Sequence, residues 1–388
     1  MEQNTIKDKA AIVGVGESKY YKRGGSPVSE FGLACQAIIN AAHDAGIKVT
    51  DVDGLASFAM EGNEPSRLAG GLGLPELNFC NMAWTGGGGV AAAVANAAAA
   101  VVCGYAKYVA VFRALAQGQT FRFGQGTTGP GMAGLMGFTV PYGLTTPAQK
   151  IAMRVRRFMH EHKIAQDALA AVSMASYHHA QLNPRAVMYG RPLTREHYDQ
   201  SRWIVEPFHL YDCCMENDGA SAVIVTTAER ARDLKRKPAY IMAAAQGSDY
   251  RDIHDSENVP DFPSSNYKHL SRRLYEMAGI TPKDVDVVQS YDHFSGGVVI
   301  TLAEHGFCHP DELMAFCTLE NLTGPNGKLP LNTSGGNLAE CYVIGMQLVN
   351  EAARQVRGDS TCQVKDAEIS MMISGSVTTP ASNLILHR

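Results

Sequence analysis

Charge is scarce in this 388-residue chain. Asp, Glu, Lys and Arg make up 19 % of it, and the formal net charge is -4. A balance that is both weak and slightly negative excludes a nucleic-acid binder held by phosphate contacts. Disorder is excluded too, because 45 % hydrophobic residues supply a full core. The nine cysteines are odd in number and contain no C-x-x-C, so neither a disulfide framework nor a cysteine-built zinc site is expected. There is no Walker A sequence, and Gly14-x-Gly16 has Lys19 where a dinucleotide fingerprint needs its third glycine. Residues 1–8 hold no apolar signal core, which makes a cytoplasmic protein the default expectation. Residues 86–106 carry no charge and are long enough to span a bilayer. Their alanine and glycine content, with Asn96 in the middle, points instead to a buried core helix and no membrane span.

What is present alternates between apolar runs and helical periods. Ala10–Gly16, Tyr108–Phe112, Ala220–Val225, Tyr240–Ala245, Val285–Val288 and Ile369–Ile373 read as buried strands. Phe31–Ala45 reads as a helix. Met153–Ala180 reads as two helices that break near Lys163 and end before Asn183-Pro184. The alternation predicts an α/β fold with largely parallel sheets. The stretch Gly118–Gly137 is too irregular for core and reads as a loop near a site or an interface. His160-Glu161-His162 and His178-His179 lack metal-ligand spacing. Arg154, Arg156 and Arg157 read as a charged helix face, with contact to a phosphate group as the alternative.

Two features recur in the same order. Ala45-Gly46-Ile47-Lys48-Val49-Thr50-Asp51-Val52-Asp53 returns as Ala278-Gly279-Ile280-Thr281-Pro282-Lys283-Asp284-Val285-Asp286. A glycine cluster then opens a long apolar helix in each half, at Thr85-Gly86-Gly87-Gly88-Gly89 and at Thr333-Ser334-Gly335-Gly336. The pair suggests a duplicated α/β unit with its junction near residues 228–238. Glycines at a helix start let backbone N–H groups approach an anion such as a phosphate or a thioester oxyanion. Equally, they allow close packing between the halves.

These residues resemble the thiolase superfamily, in the branch of sterol-carrier-type thiolases and lipid-transfer-protein-like aldolases. The resemblance runs from Ala10 to Leu386. It rests on Ile12-Val13-Gly14-Val15-Gly16, Leu182-Asn183-Pro184-Arg185-Ala186, Cys214-Met215-Glu216-Asn217-Asp218-Gly219-Ala220, Tyr291-Asp292-His293-Phe294 and Ser334-Gly335-Gly336. It implies a five-layered α-β-α-β-α sandwich of two duplicated halves: residues 1–235, with a loop and helical insertion at about 115–210, and residues 236–388.

The departures from the family pattern direct the functional expectation. Trp84 stands where the nucleophilic cysteine is expected, and His293 stands where a second cysteine is. Tyr291 and Tyr342 stand where histidines are. Covalent acyl transfer needs a thiolate and an adjacent base, and neither remains in place. Cys80 and Cys341 lie close in sequence to the lost positions but read as ordinary packing residues, as does the vicinal Cys213-Cys214. Retro-aldol cleavage of a β-hydroxyacyl-CoA needs no covalent intermediate, only a base, an acid and donors for an enolate. Steroid side-chain-cleaving, thiolase-like aldolases carry the same tyrosines. The resemblance therefore implies Tyr291 as base and Tyr342 as acid, with Asp292 and His293 in support. It also implies N–H groups near Gly335 and Gly336 on the thioester oxygen, and Trp84 lining the pocket.

The expected products are a ketone or aldehyde and a short acyl-CoA such as propionyl-CoA or acetyl-CoA. No tightly bound cofactor or metal is expected, coenzyme A entering as part of the substrate. The resemblance further implies a homodimer through the thiolase core and an OB-fold/zinc-ribbon partner, giving a heterotetramer. The alternatives are a non-catalytic acyl-CoA or sterol carrier, and a thiolase using a relocated cysteine.

Overall fold

Nine principal strands form the frame of the computed structural model, which describes residues 6–59, 61–120, 134–249 and 259–388. In the first half these are β1 (Ala10–Glu17), β2 (Gly54–Phe58), β3 (Phe79–Ala83), β4 (Val109–Ala116) and β5 (Asn217–Thr227). In the second they are β6 (Ala239–Gly247), β7 (Val287–Ser290), β8 (Ile369–Ile373) and β9 (Ala381–His387). The main helices are α1 (Glu30–Ala45), α2 (Val90–Val102), α3 (Pro147–His162), α4 (Gln166–Ala180), α5 (Lys268–Ala278), α6 (Ser295–Glu304) and α7 (Met346–Arg357).

The pairing pattern repeats. In the first half the order is β3-β2-β4-β5-β1, with β2 parallel to β3 and β4, and β5 antiparallel to β4 and β1. In the second, β7 is parallel to β8 and bridges Leu331 in parallel, while β9 is antiparallel to β8 and β6. β1 and β6 join the halves through Ala11–Tyr240 and Ile12–Ala239. The sheets are therefore mixed rather than largely parallel. The last strand of each half returns antiparallel between its neighbours, which apolar periodicity alone does not reveal.

The recurring Asp-Val-Asp does the same work twice. Asp51 and Asp284 accept the N–H groups of Lys48 and Thr281 across a short 3-10 turn. Asp53 accepts from the amides of Lys107 and Tyr108 ahead of β4, and Asp286 from those of Glu368 and Ile369 around the start of β8. Gly46 and Gly279 end α1 and α5 in the left-handed conformation, at φ +79° and +75°.

Helices α1 and α5 cover the outer faces, α1 on β1, β4 and β5, and α5 on β6 and β9. Between the sheets lie α2, touching β2 and β5 on one side and β6 and β9 on the other, and α7, touching strands of both halves. Five layers result. A helix between two sheets is surrounded by protein, which is why α2 is almost entirely alanine and valine. Its Asn96 donates to Asn81 of β3 at 2.8 Å. No helix among the described residues is long and apolar enough to cross a membrane.

Helices α3 and α4 separate where Lys163 turns left-handed at φ 54°. Arg154 of α3 is buried and donates to the carbonyls of Phe262 and Ser264, so it is not part of a solvated face. Arg156 and Arg157 do lie exposed, paired with Glu206 and Glu161. Most of the Gly118–Gly137 stretch falls outside the described residues.

Gly14 and Gly16 set how closely α1 lies on β1. A Cβ at Gly14 would stand 2.1 Å from the Ala41 carbonyl oxygen, and one at Gly16 2.2 Å from the Ala41 nitrogen. Both contacts are to backbone, so α1 would have to move. Gly16→Ala is expected to lower stability by about 1–3 kcal/mol in a thermal or urea melt. An unchanged melt would show that α1 does not sit where described.

Candidate active site

The site is assembled where two strand ends meet two glycine clusters. β7 ends at Ser290, whose N–H donates to the Asn332 side-chain oxygen at 2.7 Å. The chain then turns through Tyr291-Asp292-His293-Phe294 into α6. The second cluster runs from Asn332 through Gly335 and Gly336, at φ +115° and +63°, into a π-helical turn over Gly336–Glu340. Five residues separate that turn from the start of α7. Tyr342 sits in that break, so the second glycine cluster opens a short turn and not the long helix itself.

Tyr291 and Tyr342 meet at their hydroxyls, 2.9 Å apart. Their rings are near-perpendicular, at 76°, and both are buried. Each is held by residues that are remote in sequence. A Cβ at Gly87 would lie 2.4 Å from the Tyr291 ring carbon that bears the hydroxyl, and one at Gly345 would lie 2.6 Å from its Cδ2. The Tyr291 ring therefore occupies a slot that only two glycines leave open. Tyr342 is clamped through its backbone: its N–H donates to Asn217 Oδ1 at 2.6 Å, and its carbonyl accepts from Asn217 Nδ2 at 3.3 Å. Ile344, two residues on, has φ 53°, a strained value for a β-branched residue.

Burial pushes the Tyr291 hydroxyl well above its ordinary pKa, and the Tyr342 hydroxyl beside it adds to the effect. Tyr342 is raised chiefly by burial as well, with Arg113 opposing. That arginine is buried on β4 and paired with Glu61 at 2.7 Å. Neither phenol ionises readily, and the stable arrangement is two neutral hydroxyls sharing one hydrogen bond.

Asp292 is buried and accepts from the Asn337 N–H at 2.7 Å, the Leu338 N–H at 3.4 Å and Ser176 Oγ at 3.3 Å. Burial raises its pKa to about 6, against these hydrogen bonds. It thus caps the π-helical turn and fills the anion position at the second glycine cluster. A Cβ at Gly336 would strike the Asp292 carboxylate at 2.2 Å, and the Gly335 N–H already donates to the Asn332 carbonyl at 2.9 Å.

His293 packs edge-to-face on Tyr291 at 5.0 Å and is 7 % exposed. Among the described residues neither of its ring nitrogens has a hydrogen-bond partner. Burial lowers its pKa to about 3, so the ring is neutral.

Trp84 is 89 % exposed, so in the single chain it lines no enclosed pocket. It follows edge strand β3, and the chain turns inward only at the glycines after it. Those glycines pack tightly: Gly375 N–H donates to the Gly87 carbonyl at 2.8 Å, and a Cβ at Gly88 would strike the Pro380 carbonyl oxygen. Close packing between the halves is therefore the role of the first cluster.

Cys214 and Cys341 do not replace the missing nucleophile. Burial pushes the Cys214 and Cys341 thiols well above their ordinary pKa, the opposite of what a nucleophile needs. The sequence reading missed Asn217, Gly345 and the part Gly87 plays. Asn217 does lie in the quoted Asn217-Asp218-Gly219 motif, but its partner is in the other half.

Comparison with known proteins places this geometry. Residues 245–388 match the family described as Thiolase C-terminal domain-like. The chain is 40 % identical to the 17-hydroxy-3-oxo-4-pregnene-20-carboxyl-CoA lyase of Mycobacterium tuberculosis, over 98 % of this chain and 100 % of that one. It is 39 % identical to the steroid side-chain-cleaving aldolase of Thermomonospora curvata over 99 % of each. A solved structure, the Ltp2-ChsH2(DUF35) aldolase, superposes with a TM-score of 0.92 at 38 % identity, covering 98 % of both chains.

Gly87→Ala is expected to displace the Tyr291 ring and cut turnover by about 100-fold, the scale set by misplacing a reacting group by an ångström. Activity near that of the unaltered protein would contradict the slot. A second expectation concerns pH. Burial, with Glu351 and Glu17 nearby, raises Glu340 from 4.5 to about 8. The folded chain holds a proton there that the unfolded chain has released, so this contribution is full below the unfolded value and is lost as pH rises through the folded one. Glu340→Gln should flatten the fall in Tm between about pH 4.5 and 8. An equally steep fall in the variant would contradict the assignment.

Proposed function

The chain belongs to the thiolase superfamily, in its branch of steroid side-chain-cleaving aldolases, and from that membership we propose how its tyrosine pair carries out the cleavage. The substrate is a β-hydroxyacyl-CoA on a steroid side chain. The products are a ketone or aldehyde and a short acyl-CoA such as propionyl-CoA or acetyl-CoA. Coenzyme A enters and leaves as part of the substrate, and no other cofactor is needed. The observation that carries this reading is the 2.9 Å contact between the hydroxyls of Tyr291 and Tyr342.

Retro-aldol cleavage moves one proton from the β-hydroxyl oxygen to the α-carbon. With both phenols held neutral by burial, a free phenolate base is costly. A relay avoids it. The β-hydroxyl proton passes to the Tyr291 oxygen as the Tyr291 proton passes to the Tyr342 oxygen and the Tyr342 proton passes to the α-carbon. The α–β carbon bond breaks, its electron pair becomes the enolate, and protonation of the α-carbon restores the thioester. Each tyrosine ends as it began. Tyr291 is the base toward the substrate and Tyr342 the acid, each through the other. Asp292 keeps the turn that carries Tyr291 in place.

The halves, 1–235 and 236–388, share this site: Gly87 and Asn217 come from the first, both tyrosines from the second. We place a second copy of the chain along edge strand β3, where Met82 and Trp84 are exposed and backbone groups await a partner strand. In such a homodimer Trp84 is covered and meets the pocket that the single chain leaves open. An OB-fold/zinc-ribbon protein is the second partner, completing a heterotetramer in the cytoplasm. Its support is the similarity to the Ltp2-ChsH2(DUF35) aldolase, whose name joins two components.

The test is cleavage of a panel of steroid side-chain β-hydroxyacyl-CoA thioesters, with and without such a partner. Tyr291→Phe and Tyr342→Phe are each expected to lower kcat by about 100- to 10,000-fold. Because the pair acts as a unit, the double variant should be about as slow as the worse single one. Strict multiplication of the two losses would sink the relay. Binding of the thioesters without any cleavage would favour the carrier alternative.

A further inference from the structure

The relay accounts for the β-hydroxyl and the α-carbon, but the thioester oxygen gathers negative charge as the carbon–carbon bond breaks. That oxygen still needs a donor. At the second glycine cluster the Gly335 N–H is engaged on the Asn332 carbonyl, and the Asn337 and Leu338 N–H groups on Asp292. Of the three polar side chains on the 291–293 turn, Tyr291 and Asp292 have partners. His293 has none on either ring nitrogen among the described residues.

Leaving a buried imidazole unpaired is unfavourable, because a neutral ring always presents one N–H donor and one lone pair. Such groups are rare in native folds and call for a purpose. Placement supplies one here. The His293 carbonyl accepts the Cys214 N–H at 2.8 Å, which fixes its backbone. The ring lies between Tyr291, at 5.0 Å, and Phe294, at 4.8 Å. It therefore stands directly beside the tyrosine that meets the substrate hydroxyl.

We propose that His293 is the oxyanion donor of this site, its ring N–H holding the thioester carbonyl oxygen of the CoA substrate and the enolate oxygen that forms from it. This rests on the retro-aldol reading above. No proton leaves His293. The electron pair of the broken α–β bond passes into the enolate, the ring N–H hydrogen bond strengthens as charge builds, and Tyr342 delivers the proton to the α-carbon. A neutral imidazole suits this task, since it polarises a carbonyl without giving up its proton. Burial, which keeps the ring uncharged, is thus part of its function.

The test compares the unaltered protein with His293→Leu and His293→Gln, each with the zinc-ribbon partner. Three readings are taken: cleavage of the β-hydroxyacyl-CoA, exchange of deuterium from D2O into the α-carbon of the short acyl-CoA product, and Tm. Exchange reports enolate formation with no β-hydroxyl present. His293→Leu is expected to lose about 100-fold in both cleavage and exchange, while its Tm holds or rises because an unpaired polar group has been removed. His293→Gln, which restores an N–H donor, should recover part of both rates. Cleavage and exchange close to normal in His293→Leu would overturn the assignment. So would losses that only track a lowered Tm, since those mark a structural role. A protein whose unaltered form cleaves no thioester fails the aldolase reading itself, whereas cleavage by both it and His293→Leu fails only the role of His293.

Discussion

The hydrogen bond between the Tyr291 and Tyr342 hydroxyls depends on two absent side chains. With no Cβ at Gly87 or Gly345, the Tyr291 ring can lie close against the start of α2 and the start of α7. Those helices fill the layer between the two sheets, so the depth of the ring is set by the packing of the whole sandwich. Asn217, on the last strand of the first half, fixes the other tyrosine by its backbone. The two halves depend on each other chemically for this reason: the first positions the tyrosines that belong to the second.

A site that handles protons without ions is buried differently from one that uses a thiolate. Here burial raises both phenols, lowers His293 and raises Asp292, and each shift favours the neutral form. The carboxylate is the best satisfied of these groups. It sits on the amides at the start of the π-helical turn, where a helix start favours negative charge. A strained Ile344 near Tyr342 shows that the fold accepts local cost in this segment. Loss of the two thiolase-type cysteines and both histidines, and gain of two tyrosines and a neutral histidine, are changes in the one direction that the proposed relay requires, away from charged groups.

Much of this was legible in the sequence because the chain repeats itself. Asp-Val-Asp at 51–53 and 284–286 marked two copies of one helix-end, turn and strand, and the structure gives both copies the same hydrogen bonds. The break at Lys163 and the buried alanine helix followed from local pattern. What escaped depended on distance. The mixed character of the sheets lies in strand order, which periodicity does not record. The constraint on Gly87 comes from a ring in the other half, and nothing in a run of four glycines singles out the one that touches it. Trp84 was placed by its motif position, but its exposure is decided by its following an edge strand. That the Asn337 and Leu338 amides just past Gly335 and Gly336 belong to Asp292 was equally hidden, because Asp292 arrives from another turn.

The central claim is that protons pass together through the tyrosine pair with no phenolate in between. Single-turnover cleavage followed in mixtures of H2O and D2O tests it directly, since chemistry is then separated from product release. Several protons moving in one step give a rate that bows downward as the deuterium fraction increases, and that curve is the result the relay predicts. A straight line, the mark of one proton in transit, would contradict it.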